Sequence, residues 1–567
     1  MTTPQSTTAL RGARDHLLQL RDDHARAQAE FEWPDVGANF NWALDWFDVV
    51  AAGNDKTALW IVEEDGRELK VTFSEMSARS DQVATWLSRC GVGHGDHVML
   101  MLGNQVELWE LMLAIMKVGA VILPTSTVLA SGDLADRVHR GGVQHVIANA
   151  GDAAKFDMVP GDFSRICVGA ATPGWADYAD AALVAAEKPA VVVSSDDASL
   201  IYFTSGTTSK PKMVVHTQTS YPVGHLTTMY WIGLRPDDVH LAISSPGWGK
   251  HAWSSFFAPW IAEATVFVYN YARFDPLALA DQLHRAKVTT FCAPPTVWRM
   301  LIQSDVGAKP VGLREILSAG EPLNPEVIHQ IQRSWGLTIR DGYGQTETTA
   351  IVGNTPGSVL NAGSMGLPLP GVAITLIDPI TGEESDEGEI CLDLSRTAVN
   401  LMAGYHGDPE RTREAVRDGY FHTGDVAGRD ADGYITFIGR TDDIFKSSDY
   451  KVSPFEVESV LLEHPAVAEA AVVPAPDATR LNIAKAYIAL AAGWESNGDT
   501  ALSVLRHART GLPPYMRVRR VEFFELPKTS SGKIRRVELR LREDAAFAQK
   551  ETLPDEWRDD QFPELKR

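Results

Sequence analysis

Short apolar runs alternate with longer amphipathic stretches from about residue 40 to residue 440. Five runs have the mostly apolar composition of buried strands: 98–102, 143–148, 190–193, 265–269 and 288–292. Two stretches between them repeat apolar residues at helical spacing: 105–118 and 275–285. Strands that alternate with helices in this way predict an α/β architecture with largely parallel sheets.

The pattern changes after residues 363–368, where shorter apolar runs are separated by turn signals and predict a small β-rich subdomain. A domain boundary is expected at 439–443. Beyond it, a helix pattern at 454–462 and strand patterns at 470–473, 485–490 and 518–524 predict a compact tail. The predicted segments are an N-terminal arm at 1–39, a large domain at 40–440 and a small domain at 441–567. Within the arm, residues 10–32 mix charges at helical spacing and predict a surface helix.

Composition narrows the classes of partner. A chain of 567 residues exceeds what one core usually supports, and its formal net charge of −22 argues against nucleic acid and anionic membranes. The most apolar stretch, 108–123, is interrupted by Glu110 and Lys117, and no secretion signal is recognised at the N-terminus. The four cysteines have no paired spacing for zinc or a redox dithiol, so reduced thiols in a cytoplasmic protein are expected: Cys90, Cys167, Cys292 and Cys391.

A hydroxyl-rich loop at 204–212 suits a polyphosphate. Its backbone N–H groups and hydroxyls can cradle phosphates, and Lys212 can add charge. The loop lacks the Gly-Lys-Ser/Thr end of a P-loop. The residues expected to contact phosphate are Thr204, Ser205, Gly206, Thr207 and Thr208.

Three later segments offer complementary chemistry. In 341–347, Tyr343 offers a face for a purine, Thr346 a hydroxyl for the α-phosphate, and Glu347 a carboxylate for magnesium. Asp425 and Arg440 could bind ribose hydroxyls. Each residue alone is equally well explained as a capped turn, a core tyrosine or a surface ion pair.

Six motifs in a fixed order resolve this ambiguity: 204–212, 318–322, 343–347, 420–425, 439–458 and 527–536. Together they resemble the adenylate-forming superfamily of acyl-CoA synthetases, adenylation domains and luciferases. The segments 246–253, 318–325 and 342–348 look closest to medium-chain acyl-CoA synthetases. The resemblance covers about residues 40–540. It implies an α/β fold class, with a large domain of two mostly parallel α/β layers plus a β-rich subdomain, and a small mobile α+β C-terminal domain.

The resemblance also implies a reaction and its residues. A carboxylate attacks ATP to give an acyl-adenylate and pyrophosphate, and the thiol of CoA then expels AMP. Lys533, Glu347 and Thr346 would be catalytic, with Glu347 also the ligand of Mg²⁺. Asp442 would be the hinge of the tail. The remaining nucleotide contacts would be Gly320, Glu321, Pro322, Asp341, Gly342 and Gln345. The CoA contacts would be Ser448, Asp449, Tyr450, Lys451 and Arg480.

The acid is expected to be larger than acetate. Acetate-specific relatives have a tryptophan where this chain has Gly344, which would leave that volume open. Trp248, His251 and Trp253 would line the same pocket. The expected cofactors and partners are ATP, Mg²⁺, CoA and a carboxylic acid, with a homodimer left open.

Three departures from the family pattern keep alternatives open. Ser209, Asp449 and Leu481 replace glycines of the phosphate loop and of the CoA site, and a side chain there restricts φ and enters space near the ligand. One alternative is an enzyme of a single half-reaction, either adenylation for another acceptor or CoA transfer to an adenylate made elsewhere. The other is a nucleotide-binding module without turnover.

Overall fold

The structure, a computed structural model, describes residues 4–187, 191–204, 210–304, 306–321, 323, 325–396, 398–447, 450–477, 481–528, 534–549, 553 and 555–566. The chain forms two compact units. The large unit comprises Met1–Ile374, Leu392–Phe421 and Gly433–Ile435, and the small unit comprises Thr375–Cys391, His422–Asp432 and Thr436–Arg567. Because two segments before residue 440 group with the tail, these units do not coincide with the ranges 40–440 and 441–567, whose status as separate domains stays a prediction.

A nine-stranded sheet of the large unit is parallel in its centre, as the alternation of strands and helices predicts. Its order is β16–β15–β14–β13–β12–β10–β11–β1–β2, with antiparallel strands at both edges. The strands are β1 (Thr57–Val62), β2 (Glu68–Thr72), β10 (Val239–Ala242), β11 (Thr265–Tyr269), β12 (Thr290–Ala293), β13 (Glu315–Ser318), β14 (Arg340–Gly344), β15 (Ala350–Gly353) and β16 (Leu367–Pro368).

A second, eight-stranded sheet of the same unit has the order β19–β9–β8–β4–β3–β5–β6–β7 and is parallel from β8 to β7. The predicted strand at 190–193 is wrong for 191–193: Val193 accepts one bond from Phe40 N, and the ladder begins only at Ala198. The strands are β3 (His97–Met101), β4 (Val121–Pro124), β5 (His145–Asn149), β6 (Ser164–Val168), β7 (Ala176–Asp177), β8 (Ala198–Thr204), β9 (Lys212–Thr217) and β19 (Gly404–Tyr405).

Helices cover these sheets with their apolar faces. One core cluster joins α10, α11 and α12 to the nine-stranded sheet, and Trp298 at its centre donates from Nε1 to the carbonyl of Leu317 at 3.1 Å. The predicted helices at 105–118 and 275–285 are confirmed as α5 and α10. The helices are α3 (Asp48–Ala51), α4 (Phe73–Arg89), α5 (Val106–Lys117), α6 (Ser131–Arg140), α7 (His225–Ile232), α8 (Gly249–Ala252), α9 (Ala258–Ile261), α10 (Pro276–Arg285), α11 (Pro295–Ile302), α12 (Pro325–Trp335) and α13 (Pro409–Ala415).

The N-terminal arm forms helices α1 (Gln5–Gln19) and α2 (His24–Glu30). The arm is more than a surface helix, because Leu10, Arg14 and Leu17 are buried. Arg14 donates to the carbonyl of Ile261 at 3.2 Å and to Glu263 at 2.8 Å. These contacts make the arm part of the large unit.

The chain after residue 370 forms a five-stranded sheet of order β17–β18–β21–β20 with β22 beside β21, but the expectation of shorter strands is wrong for β21, which has 10 residues. Its strands are β17 (Ile374–Ile377), β18 (Glu387–Asp393), β20 (Val416–Arg417), β21 (Tyr420–Arg429) and β22 (Ile435–Arg440). The tail combines a β-hairpin, a four-stranded sheet and three α-helices, and its apolar residues form two clusters, the second of which includes Leu539. Its elements are β23 (Phe445–Ser447), β24 (Tyr450–Val452), α14 (Pro454–Leu461), β25 (Val467–Asp477), β26 (Leu481–Leu490), α15 (Gly498–Gly511), β27 (Val518–Phe523), α16 (Arg536–Gln549) and β28 (Glu556–Arg558). Among the described helices, none has the length and hydropathy to cross a membrane.

Candidate active site

The predicted phosphate loop joins β8 to β9, whose paired ends are Thr204 and Lys212. Helix α6 fixes residues 210 and 211, which lie near the end of the loop. Lys210 lies 3.3 Å from Asp136, and Arg140 donates to the carbonyl of Pro211 at 2.8 Å. Ser205, Gly206, Thr207, Thr208 and Ser209 lie outside the described residues.

Glu347 is held by a tyrosine that the sequence analysis missed. The Tyr405 hydroxyl donates to Glu347 Oε1 at 2.9 Å, and Lys212 Nζ lies 5.3 Å from the centroid of the Tyr405 ring. Tyr405 is on β19, which pairs with β9 through Val214. This pairing brings a carboxylate and an ammonium group, 135 positions apart in the predicted motifs, to one aromatic side chain. The only sequence signal for Tyr405 is its place in the glycine-rich turn at 403–407.

The backbone of Thr346 is fixed by a neutral histidine. His216 Nε2 donates to the carbonyl of Thr346 at 2.7 Å, while Ser220 Oγ donates to His216 Nδ1 at 2.9 Å. Burial lowers the pKa of His216 to about 4, so the ring is neutral near pH 7. Gly249 lies close by, and a Cβ there would be 3.3 Å from Thr346 Oγ1. The hydroxyl predicted to face the α-phosphate is therefore on a fixed backbone.

Strand β14 carries Tyr343, the predicted purine contact, and two further predicted nucleotide contacts, Asp341 and Gly342. Burial raises the pKa of Asp341 to about 8, and the N–H of Gly342 donates to Asp341 Oδ1 at 2.9 Å. A Cβ on Gly342 would lie 2.3 Å from the Trp231 ring, so this position needs glycine. Tyr343 is half-buried.

The other predicted nucleotide contacts of the large unit lie in turns between the strands and helices. Gln345 N donates to Thr348 Oγ1 at 3.1 Å. Gly320 has a φ of +102° and is exposed, Glu321 is half-buried, and Pro322 lies outside the described residues. Lys250, which the sequence analysis did not select, donates to the carbonyl of Ala319 at 3.0 Å. Helix α8 is thereby tied to this turn.

The structure corrects the prediction for Gly344. A Cβ there would lie 2.1 Å from the carbonyl oxygen of Thr349 and 2.7 Å from Cη2 of Trp253. The volume is therefore not open, because the strand backbone and the Trp253 indole fill it. Trp253 starts a π-helical turn (Trp253–Phe257), and its Nε1 donates to Tyr221 Oη at 2.6 Å. Turns of this kind occur often at functional sites.

The other two predicted acyl contacts differ in environment. His251 Nε2 donates to Asn104 Oδ1 at 3.1 Å, and burial lowers the pKa of His251 to about 3. The ring is therefore a neutral donor. Trp248 is half-buried and precedes α8. Of the four residues predicted to line the acyl pocket, Gly344 and Trp253 are the two shown here to be neighbours.

The small unit contains the predicted ribose pair. Arg440 Nη1 lies 3.1 Å from Asp425 Oδ1, and Arg440 Nε lies 3.3 Å from Asp442 Oδ1. Gly424 has a φ of +74°, and a Cβ there would meet the Arg440 guanidinium at 3.1 Å. The predicted ribose pair and hinge residue therefore form one ionic group.

For the predicted CoA contacts and the segment that contains Lys533, the structure describes mainly the residues on either side. Tyr450 stacks on Tyr515 with ring centroids 4.9 Å apart. The Lys451 backbone pairs with Lys446. The backbones of Lys528 and Ile534, on either side of the segment that contains Lys533, form an antiparallel bridge. Ser448, Asp449, Arg480 and Lys533 lie outside the described residues.

Comparison with known families identifies the class of protein to which these two α/β sheets belong. The family described as AMP-binding enzyme matches residues 46–406, and the AMP-binding enzyme C-terminal domain matches 456–533. The chain belongs to the AMP-binding enzyme family, which confirms the resemblance drawn from the six motifs.

The chain is similar to known acyl-CoA synthetases and CoA ligases over most of its length. It is 41% identical over 517 residues to 4-hydroxybutyrate–CoA ligase 1 of Metallosphaera sedula, covering 89% of this chain and 91% of that protein. It is 37% identical over 525 residues to the mitochondrial acyl-coenzyme A synthetase ACSM3 of Mus musculus, covering 89% and 90%. Among solved structures, the anthranilate CoA ligase AuaEII in complex with anthranoyl-AMP gives a TM-score of 0.82 at 27% identity, covering 90% of this chain and 99% of that chain.

Proposed function

We propose that the chain is an ATP-dependent, AMP-forming acyl-CoA synthetase that activates a carboxylic acid larger than acetate. The similarity to a 4-hydroxybutyrate–CoA ligase and to acyl-coenzyme A synthetases supports this reaction class. The structural observation that carries the proposal is the Tyr405 contact between Glu347 and Lys212. It brings opposite charges to one side chain at the start of β9, the strand that follows the predicted phosphate loop.

The first step joins two anions and needs cations to do so. A carboxylate oxygen attacks the α-phosphorus of ATP, the bond to the β-phosphate oxygen breaks, and pyrophosphate leaves. Lys212 would stabilise the charge on the phosphates, and Lys533 would lie between the carboxylate and the α-phosphate. Glu347 offers an oxygen ligand of the type that Mg²⁺ takes from proteins, and bound Mg²⁺ would neutralise phosphate charge.

The second step transfers the acyl group. The sulfur of CoA attacks the acyl carbonyl, the carbonyl–oxygen bond to AMP breaks, and the thiol proton is lost to solvent. The hinge at Asp442 and the exchange of Lys533 for residues 447–451 between steps belong to this proposal. A cytoplasmic location and a homodimer stay predictions.

The proposal that the acid is larger than acetate is supported by the named relatives and by the position of Trp253. Because Trp253 fills the space beside Gly344, its indole would form a wall of the acyl pocket. A tryptophan introduced at Gly344 would collide with the backbone of Thr349 before it reached any pocket. The tryptophan to vary is therefore the one already present.

Two assays on the same enzyme separate the proposal from its alternatives. Exchange of labelled pyrophosphate into ATP should depend on the acid, and thioester should form when CoA is added. Exchange without thioester would identify an enzyme that adenylates for another acceptor. Thioester formed only from supplied acyl-adenylate would identify a transferase, and nucleotide binding without either reaction would identify a binding module.

Tyr405→Phe tests the observation that carries the proposal. Loss of a hydrogen bond to a charged group costs about 1.5–3 kcal/mol, so kcat/KM for pyrophosphate exchange should fall about 10–100-fold. Tyr434→Phe is the matched control, since the Tyr434 hydroxyl donates to the carbonyl of Val359 instead. Equal activity of the two variants would mean that Tyr405 does not position Glu347 for catalysis.

A further inference from the structure

Three side chains of different ligand type converge in the small unit. His422 Nδ1 lies 2.9 Å from Glu389 Oε2 and 3.4 Å from Cys391 Sγ. All three donor atoms lie within 4.8 Å of one another. None of these residues takes part in the reaction proposed above, so the cluster calls for a separate explanation.

Regular strands, rather than a mobile loop, hold this cluster. Glu389 and Cys391 are two positions apart on β18 and therefore face the same side of the sheet. His422 is on the neighbouring strand β21, where the Thr423 hydroxyl donates to the carbonyl of Ile390 at 2.7 Å. Cys391 is fully buried, and the side chains of Glu389 and His422 are 9% and 8% exposed. The donor atoms are thus preorganised and largely shielded from water.

We propose that Glu389, Cys391 and His422 bind one divalent cation of the zinc type. Thiolate, imidazole and carboxylate are the ligands that zinc takes, at about 2.0–2.3 Å each, which sets tetrahedral ligand–ligand separations of about 3.3–3.7 Å. The two measured separations are within a few tenths of an ångström of that range. Binding would release the thiol proton, His422 would bind through Nδ1 as a neutral ring with its proton on Nε2, and the two anionic ligands would balance the charge of the ion. Water would complete the coordination.

The outer contacts of the cluster are of the kind that orient metal ligands. Glu389 Oε1 accepts the N–H of Gly424 at 2.7 Å, which directs Oε2 towards His422. Gly424 precedes Asp425, and Asp425 pairs with Arg440. A bound cation would therefore stabilise the segment that carries the predicted ribose pair. The site itself does not depend on the proposed synthetase reaction.

Cobalt spectroscopy tests for this site directly, because a thiolate bound to Co²⁺ gives an intense charge-transfer band. Full-length protein treated with a chelator should develop the band with one equivalent of CoCl2, and ZnCl2 should abolish it. Cys391→Ser should lose the band. Glu389→Gln, which keeps an oxygen for Gly424, should bind at least about tenfold more weakly.

The matched control is Cys167→Ser, because Cys167 is also buried but lies on β6 of the large unit. It should keep the band at full intensity. Circular dichroism reports whether each variant is folded, and if Cys391→Ser is not, Glu389→Gln decides the case. The proposal is overturned if wild-type protein shows no sulfur band, if the band survives in Cys391→Ser, or if folded Glu389→Gln binds as tightly as wild type.

Discussion

The surroundings of Glu347 and the core of the tail treat buried charge in opposite ways. Beside Thr346 and on strand β14, two buried side chains are neutral near pH 7: burial lowers the pKa of His216 to about 4 and raises the pKa of Asp341 to about 8. In the tail, the fully buried Lys485 lies 2.7 Å from each of three carboxylates, those of Glu522, Glu543 and Glu556.

The difference follows from what each region must do. A site for a polyanion and a carboxylate gains from a neutral background, because the few charges that remain then set the local field. The tail core receives no ligand in our proposal, so its charges must balance one another. Lys485 alone cannot neutralise three carboxylates. Arg542 and Arg558, which contact Glu522 and Glu556, supply the further positive charge.

The largest effect is expected at Lys533. Lys533→Ala should lower acyl-adenylate formation by about 10²–10⁴-fold, as for loss of a preorganised charge, while thioester formation from synthetic acyl-adenylate persists. Lys528→Ala is the control, because Lys528 is exposed and pairs with Glu469 at 2.8 Å. Equal loss of both half-reactions in Lys533→Ala would contradict its role in the first step only.

Lys485→Met tests the ionic half of the comparison. It should lower the free energy of unfolding of the tail by about 3–5 kcal/mol, since three buried carboxylates lose their shared cation. Lys528→Met, which removes an exposed ion pair, should cost about 1 kcal/mol or less in the same urea titration. If the two variants were equally stable, the cluster around Lys485 would contribute no more than a surface pair.

The pH dependence of stability tests whether a buried histidine of the large unit is held neutral, and His240 on β10 is the residue chosen. Burial lowers the pKa of His240 to about 4 in the folded chain, below its unfolded value near 6.5. Its contribution is therefore present above pH 6.5 and is lost as the pH falls towards 4. That loss is of order 2–3 kcal/mol.

The His240→Asn variant measures the contribution of His240 to the pH dependence of stability. Between pH 6.5 and 4 its stability should fall less steeply than that of wild type, by urea unfolding at each pH. His139→Asn, which alters an exposed residue, should follow wild type. Parallel curves for wild type and His240→Asn would show that the ring is not held neutral.

The smallest effect is expected from Trp253→Leu. Replacing the indole should enlarge the acyl pocket, and each additional buried methylene of the acid should then gain about 0.8 kcal/mol, or about fourfold in kcat/KM. Trp298→Leu, at a buried indole in the core cluster with α11, is the control and should leave the chain-length profile unchanged. An unchanged profile in Trp253→Leu would remove Trp253 from the pocket.

The fold was predictable wherever the signal was local. Apolar runs such as 98–102 and 265–269 became strands because composition and length favour that structure. The run at 190–193 has the same composition, but its described residues 191–193 are not a strand: Val193 accepts one backbone bond from Phe40 and the residues join no ladder. Composition alone does not show whether a run finds a neighbouring strand.

The candidate site shows the same limit. Motif order identified the family, but the contact of Tyr405 with Glu347 arises from the pairing of β19 with β9, which no motif signals. Gly344 was expected to leave open space, but the absence of a side chain does not show which neighbouring residues fill that space. In the structure, Thr349 and Trp253 fill it. Cysteine spacing likewise gave no sign of the cluster at Cys391, whose proposed partners are a glutamate on its own strand and a histidine on the next.

The central claim is that the acid is activated as an acyl-adenylate, and an oxygen-isotope measurement tests it most directly. With a carboxylic acid labelled with ¹⁸O in both oxygens, one labelled oxygen becomes the bridge to phosphorus and stays on AMP when CoA attacks the carbonyl. Mass spectrometry should therefore find one ¹⁸O in each AMP released together with thioester. AMP without label, formed alongside labelled thioester, would contradict the account.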